Sequence, residues 1–142
     1  MTISGEILDL LSAIRYFQDY KNERINIIAS SFGAVSTCIL IDTTSLKIKN
    51  LILWNPVLDL NDTFLSPTLS WGLLNFSKKR RKAFENQDFI FIDETFKVGK
   101  ILFTEFNYYN PQMNLINSQV DTLIIHGNKD SYVSYNTSKK IS

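Results

Sequence analysis

Three short apolar runs constrain this chain most strongly, because each is continuous and each stops at residues that favour a turn. They occupy residues 25–30 ("INIIAS"), 48–56 ("IKNLILWNP") and 120–130 ("VDTLIIHGNKD"). Runs that are apolar at successive positions, instead of alternating, are typical of parallel strands with helices on both faces. We therefore predict an α/β fold with a three-stranded parallel sheet, its strands at 25–30, 50–55 and 121–126.

One helix is predicted before the first strand in the chain and one after it. Apolar residues recur at three- and four-residue spacing over residues 5–20, with Ser4 as the expected N-cap and Asn22 and Glu23 ending the pattern. Residues 33–41 then supply small and aliphatic side chains without a turn former. That composition favours a helix packed on most of its faces.

The interval at 57–119 is longer than a simple crossover between two strands requires. It contains a segment predicted to be helical after Pro67, a β-like core at 88–94 ("DFIFIDE") and helical spacing over 96–109. It contains no repeat and no low-complexity tract. We interpret it as an ordered, cap-like insertion over the carboxyl edge of the sheet, within a single domain spanning residues 1–142.

Composition excludes several classes of function. The chain has 142 residues, a net charge of +1, one cysteine and one histidine. A near-neutral chain has no long-range field that would select nucleic acid, and so few ligating side chains predict neither a disulfide framework nor a metal site. No cofactor is expected. The amino terminus lacks the pattern of a signal peptide, and no run approaches the roughly 20 apolar residues of a membrane span. A cytoplasmic protein is the expectation.

The end of the first strand carries a candidate nucleophile. In "IIASSFGAVS", Ser31 is flanked two residues away by Ala29 and Gly33, the small positions of a G-x-S-x-G strand-to-helix turn. Such a turn exposes the serine hydroxyl, and the helix that follows directs the backbone N–H of Phe32 towards a developing oxyanion. The register selects Ser31 over Ser30.

A second motif lies in residues 122–133, "TLIIHGNKDSYV", where a strand is followed by His-Gly and an aspartate three positions later. The two motifs together resemble the alpha/beta-hydrolase family, in particular its serine aminopeptidase and monoacylglycerol-lipase-like branch. The resemblance covers essentially the whole chain. It implies that Ser31 is the nucleophile, that Asp130 is the acid of the triad, and that the three strands are the fifth to seventh of the usual eight. Ser31 and Asp130 are then expected at the same edge of the sheet.

The chain departs from the family pattern in two places. The family's chain order is serine, acid, histidine, but residues 131–142 contain no histidine. The family also has four strands and an oxyanion-hole loop before the nucleophile, whereas residues 1–24 hold one predicted helix. The sequence therefore resembles the middle of a hydrolase, with an incomplete triad and open sheet edges.

Two other residues are alternatives for the base and the acid. His126 is the only histidine, but it precedes the acid in the chain, so a packing role is favoured over that of a base. Asp59 follows the second strand and is an alternative acid, although a solvated or helix-capping aspartate explains it more simply. Asp130 remains the preferred acid.

Three further features have simple structural interpretations. The basic run Lys78–Lys82 is favoured as a solvated helix face over a site for nucleic acid or lipid headgroups. Cys38 has no histidine partner and is predicted to be a core residue. Trp54, Phe64 and Trp71 lie where an acyl pocket would, but any buried aromatic residues would give the same pattern.

Two functions from different classes follow from these patterns. The first is a serine hydrolase that acts on small-molecule carboxylic esters or thioesters through Ser31, with little turnover by this chain alone. The alternative is a non-catalytic, truncated remnant or a subunit that binds the remainder of a split hydrolase. In either case we expect self-association or dependence on a complementing hydrolase segment, and no nucleic-acid partner.

Overall fold

The computed structural model describes residues 1–21 and 24–141, without the side chains of Tyr20 and Lys21. The predicted break at Asn22 and Glu23 lies outside the described residues. Helices and strands follow in the order α1 (Ile3–Lys21), β1 (Ile25–Ser30), α2 (Gly33–Thr43), β2 (Ile48–Trp54), α3 (Ser70–Phe76), α4 (Lys78–Arg81), β3 (Phe89–Ile92), β4 (Phe96–Gly99), α5 (Lys100–Glu105), α6 (Pro111–Asn117), β5 (Asp121–Ile125) and α7 (Tyr135–Ile141).

The three apolar runs form one parallel sheet in the order β1–β2–β5, which confirms the predicted sheet. Ser30 is paired with Trp54, and Trp54 is paired with Ile125. The three strands therefore end in register, and the residues that follow them meet at one carboxyl edge, where ligands bind in open α/β sheets.

The described residues cover one face of this sheet, which differs from the prediction of helices on both faces. Ala29, Leu51 and Leu53 are buried against a cluster that includes residues of α2 and α6. The opposite face is exposed, at 69% for Ile28, 56% for Trp54, 55% for Leu123 and 46% for Ile125. The runs are apolar at successive positions as expected, but no helix among the described residues packs on the outward side chains.

Helix α1 begins earlier than predicted, and Ser4 is not its cap. Thr2 Oγ1 accepts a hydrogen bond from the Gly5 N–H at 3.0 Å, the bond expected of an N-cap hydroxyl. Ser4 lies inside the first turn, and its Oγ donates to Glu105 Oε1 at 2.6 Å. This contact joins α1 to α5 in the insertion.

Helix α2 is buried along almost its whole length, as its composition predicts. Every residue from Ala34 to Ile41 is buried. Cys38 is fully enclosed, and burial raises the pKa of its thiol to about 12. Cys38 is therefore a core residue, as expected.

The insertion forms short helices and a two-stranded antiparallel hairpin, β3–β4. The prediction of a helix over 96–109 is wrong at its start, because Phe96–Gly99 pair with β3 before α5 begins. The pairing of Ile90 with Val98 and of Ile92 with Phe96 sets this segment as a strand, and Val98 is buried in it. A single apolar cluster joins the insertion to α1 and α2.

None of the helices in the described part of the chain is both long and apolar enough to cross a membrane.

Candidate active site at the carboxyl edge of the sheet

Ser31 occupies a tight turn between β1 and α2, with a backbone φ of 51°. This left-handed conformation is uncommon for a residue with a side chain, and it persists only where surrounding contacts hold it. Here the Ser31 N–H donates to the Trp54 carbonyl oxygen at 3.0 Å, and the Ser31 carbonyl oxygen accepts from the Val57 N–H at 3.0 Å. The turn is thus fixed on both sides to the end of β2, and it leaves Ser31 exposed.

Phe32 follows in a helical conformation, with φ −64° and ψ −29°, immediately before α2. Among the described residues, no acceptor pairs with the N–H groups of Phe32 and Gly33. These N–H groups lie at the positive end of the helix dipole, beside the Ser31 hydroxyl. The geometry suits them to stabilise negative charge on an oxygen bound at Ser31.

The small residues around Ser31 do not have equal roles. Ala29 is buried in the sheet core, as a close neighbour of the turn should be. A Cβ added at Gly33 would meet no atom within 4 Å, and Gly33 does not have a positive φ. Contacts among the described residues therefore do not require glycine at this small position of the motif. Gly33 instead lines a cavity beside the turn.

Asp130 lies in the loop after β5, at the same edge as Ser31. Its Oδ1 accepts hydrogen bonds from the backbone N–H groups of Tyr132 at 2.8 Å and Val133 at 3.0 Å. Two backbone donors fix the orientation of the carboxylate, and its Oδ2 faces His126. Because β2 alone separates β1 from β5, the two loops are about two strand spacings, or roughly 10 Å, apart.

His126 contacts α7 and the loop that carries Asp130. Its Nε2 lies 3.3 Å from the Val133 carbonyl oxygen and 3.5 Å from Asp130 Oδ2. A carbonyl oxygen can only accept, so we assign the proton to Nε2 and the acceptor role to Nδ1, which lies 2.7 Å from Ser138 Oγ. With a side chain that is 1% exposed, His126 packs beneath the loop, in agreement with the packing role favoured from sequence.

Ser138, His126 and Asp130 together imitate the connectivity of a catalytic triad. The resemblance is limited to connectivity, because Ser138 is 2% exposed on the inner side of α7 and a substrate carbonyl has no access to it. The three side chains instead tie α7 to the loop that carries Asp130. Their effect on the site is structural, because they fix the position of the loop that carries Asp130.

Asn55 is a site residue that the sequence analysis missed. It has φ 43°, its N–H donates to the Ile125 carbonyl oxygen at 2.8 Å, and its Oδ1 accepts from the Gly127 N–H at 3.0 Å. It therefore joins the end of β2 to the loop after β5. An asparagine directly before Pro56 at a strand end was the available signal, because asparagine tolerates left-handed φ values.

An apolar cavity of about 430 Å³ opens beside the turn, with Phe32 and Gly33 in its wall. Its other aromatic residues are Phe64, Trp71, Phe76, Phe96 and Phe106. Phe64 and Trp71 therefore lie where an acyl pocket was expected. Trp54 does not, because it lies on the exposed face of the sheet.

The other weighed residues have structural contacts. Asp59 Oδ1 accepts from the Asp62 N–H at 2.9 Å and so caps the π-helical turn at Asn61–Leu65. In the basic run, Arg80 Nη1 donates to the Phe91 carbonyl oxygen at 3.1 Å, and Arg81 lies over the Phe103 ring. The arginines therefore pack on the insertion, while the lysines of this run are exposed.

In the described ranges 1–21 and 24–141, no cluster of three histidine, cysteine, aspartate or glutamate side chains is placed to hold a metal ion. Taken from the contacts above, the candidate site consists of Ser31, the N–H of Phe32, Asp130 and the aromatic cavity.

Comparison with known proteins adds no identification: no protein-family model matches the chain, and no curated protein matches it at a significant level.

Proposed function

We propose that this chain carries the nucleophile and the acid of a serine hydrolase that cleaves carboxylic esters or thioesters. The observation that carries the proposal is the left-handed backbone of Ser31, held by hydrogen bonds at a strand-to-helix turn, exposed, and next to an apolar cavity. Strained backbone of this kind concentrates at functional sites. The resemblance to the alpha/beta-hydrolase family agrees with this proposal but rests on the two sequence motifs alone.

In the proposed reaction, Ser31 Oγ attacks the carbonyl carbon of the substrate while a base removes the hydroxyl proton. The N–H of Phe32 hydrogen-bonds the oxyanion of the tetrahedral intermediate. The intermediate collapses as the bond to the alcohol or thiol breaks, and that group leaves with the proton. Water then attacks the acyl-Ser31 ester and releases the carboxylic acid.

The base for this reaction is not supplied by the described residues. His126, the only histidine in the sequence, is engaged with Ser138 and Val133. In the proposed enzyme an imidazole from another segment bridges Asp130 to Ser31, and it has to replace the contact between Asp130 Oδ2 and His126 Nε2 at 3.5 Å. We therefore expect the 142-residue chain alone to show little turnover.

Imidazole rescue tests the proposal. A fluorophosphonate probe and an activated aryl ester are supplied to wild type, Ser31→Ala and the matched control Ser30→Ala, with and without free imidazole. We expect slow labelling without imidazole and several-fold faster labelling and turnover with it, in wild type and Ser30→Ala only. Mass spectrometry locates the label.

Two outcomes contradict parts of the proposal. Equal rates in wild type and Ser31→Ala under both conditions would eliminate Ser31 as the nucleophile. Fast labelling of Ser31 without imidazole would instead contradict the inference that the described residues supply no base. His126 or a histidine from a second copy would then have to be tested as the base.

The exposed sheet face favours a second candidate, a non-catalytic subunit that binds the remainder of a split hydrolase. Open strand edges and exposed apolar side chains are features of a surface that a partner covers. The coding sequence flanking this reading frame discriminates between the two candidates. Neighbouring hydrolase segments that include a histidine, together with Ser31-dependent activity on mixing, would support a split enzyme; binding without activity would support the subunit.

A further inference from the structure

Asp93 lies at the rim of the cavity beside Ser31 and has an unusual backbone. It begins the turn between β3 and β4, where Asp93 has φ 46° and Glu94 has φ 62°. The turn closes with a hydrogen bond from the Thr95 N–H to the Ile92 carbonyl oxygen at 3.2 Å. Two successive left-handed residues favour glycine, asparagine or aspartate, so Asp93 suits this turn and the strain lies at Glu94.

Two side chains hold the Asp93 carboxylate in one orientation. Asn75 Nδ2 donates to Asp93 Oδ1 at 2.9 Å, and Trp71 Nε1 donates to Asp93 Oδ2 at 3.0 Å. Asn75 is itself 1% exposed, and its Oδ1 accepts from the Asp93 N–H at 2.9 Å. A buried asparagine thus fixes both the backbone and the side chain of Asp93.

The carboxylate of Asp93 is arranged to remain charged. Hydrogen bonds from Trp71 and Asn75, with a smaller contribution from the nearby Arg80 guanidinium, lower the pKa of its carboxyl group. Its two oxygens offer about four acceptor positions, of which the described residues use two. Within the described residues, Asp93 forms no ion pair.

Glu6, the other carboxyl group in the cavity wall, has a different environment. Burial raises its pKa, and a hydrogen bond from Ser36 and the ammonium group of Met1 oppose that rise. Ser36 and the Met1 ammonium group therefore partly stabilise the charged form of Glu6. Asp93 is the oriented, solvent-facing charge of the cavity.

We propose that this cavity binds an apolar group that carries a cationic nitrogen, and that Asp93 is the residue that determines this specificity. Aromatic rings with a carboxylate at the rim are the combination that recognises an organic cation, through cation–π contact and charge. Trp71 contributes both an aromatic wall and one hydrogen bond to Asp93. The inference rests on the proposed function only in treating this group as part of a substrate attacked by Ser31.

Reversible binding tests the inference without any turnover. Trp71 fluorescence is followed in a Trp54→Phe variant, since the chain has two tryptophans. The probes are (3-hydroxyphenyl)trimethylammonium and its neutral isostere 3-tert-butylphenol. We expect the cation to bind about tenfold more tightly, a difference of about 1.4 kcal/mol, because it gains cation–π and charge contacts.

Asp93→Asn should remove this preference while the neutral probe retains its affinity. Glu94→Gln is the matched control, because it removes the same charge from the neighbouring residue, which faces a different groove. Equal affinity for the two probes in the parent protein would overturn the inference. It would also be overturned if Asp93→Asn weakened the binding of both probes equally and so kept the preference for the cation. Neither result depends on Ser31, so this inference and the proposed function fail separately.

Discussion

The backbone of Ser31 has an energetic cost that does not depend on any reaction. A side chain at φ 51° is less favourable than glycine by about 1–2 kcal/mol, partly offset because glycine is more flexible when unfolded. The hydrogen bonds to Trp54 and Val57 maintain the conformation against this cost. Under the proposed function, the need for the Ser31 hydroxyl explains a serine at a position where glycine would be less strained.

We predict that Ser31→Gly is more stable than Ser31→Ala by about 0.5–1 kcal/mol, because glycine adopts the left-handed conformation without steric strain. Urea unfolding measures the difference. Ser30 is the matched control: it lies in β1, where glycine is unfavourable, so Ser30→Gly should be less stable than Ser30→Ala. The same sign at both positions would contradict the strained turn.

The candidate residues Ser31 and Asp130 have signals that are local in the chain. Ser31 was predicted because a β-branched run, two serines and small neighbours are adjacent in the chain, and Asp130 because it follows a strand by a short motif. Asn55 and Asp93 were missed because their roles depend on distant partners, Gly127 and Asn75. No spacing in the sequence specifies those contacts.

The same difference between local and distant information appears at the level of the elements. The three strands and helix α2 were predicted almost to their ends, since each is a continuous run bounded by turn residues. The strand at Phe96–Gly99 was missed because it is only four residues long and helical spacing follows it directly. Which face of the sheet is covered was also unpredictable, because it depends on where helices pack.

The hairpin β3–β4 is expected to depend on Asn75. We predict that Asn75→Ala lowers the free energy of unfolding by about 2 kcal/mol, because it removes a buried side chain that pairs with Trp71, Asp93 and Arg80. Hydrogen exchange should show the largest loss of protection in residues 89–99. This follows from the two bonds between Asn75 and Asp93.

Gln87→Ala is the control for this effect. Gln87 Nε2 also donates to the hairpin, at the Phe89 carbonyl oxygen, but the bond is exposed. We expect it to change stability by less than about 0.5 kcal/mol. Equal effects of the two substitutions would show that burial of Asn75 is not what anchors the hairpin.

At the scale of the whole molecule, the exposed sheet face dominates the expected solution behaviour. Ile28, Trp54, Leu123 and Ile125 form a continuous apolar surface, and β1 and β5 each have one unpaired edge among the described strands. Surfaces of this kind promote association between chains. The covered face, in contrast, is a packed core.

We predict that Ile28→Thr combined with Leu123→Thr reduces self-association without loss of secondary structure, because threonine retains β propensity and removes apolar surface. Sedimentation velocity across a concentration series measures the association, and circular dichroism checks the fold. Leu8→Gln, an exposed residue of α1, is the control and should leave association unchanged. A wild-type chain that remains monomeric at every concentration would refute the prediction.

The strand order also has a consequence for the speed of folding. The strands β1 and β2 are close in the chain, whereas β5 joins β2 only after the whole insertion at 57–119 has been traversed. Pairing across so long a loop closes slowly, since its entropic cost precedes any gain from contacts. We therefore expect β1 and β2 to pair first and β5 to dock late. During that interval the central strand exposes an unpaired edge, and the loop that carries Asp130 is still away from Ser31.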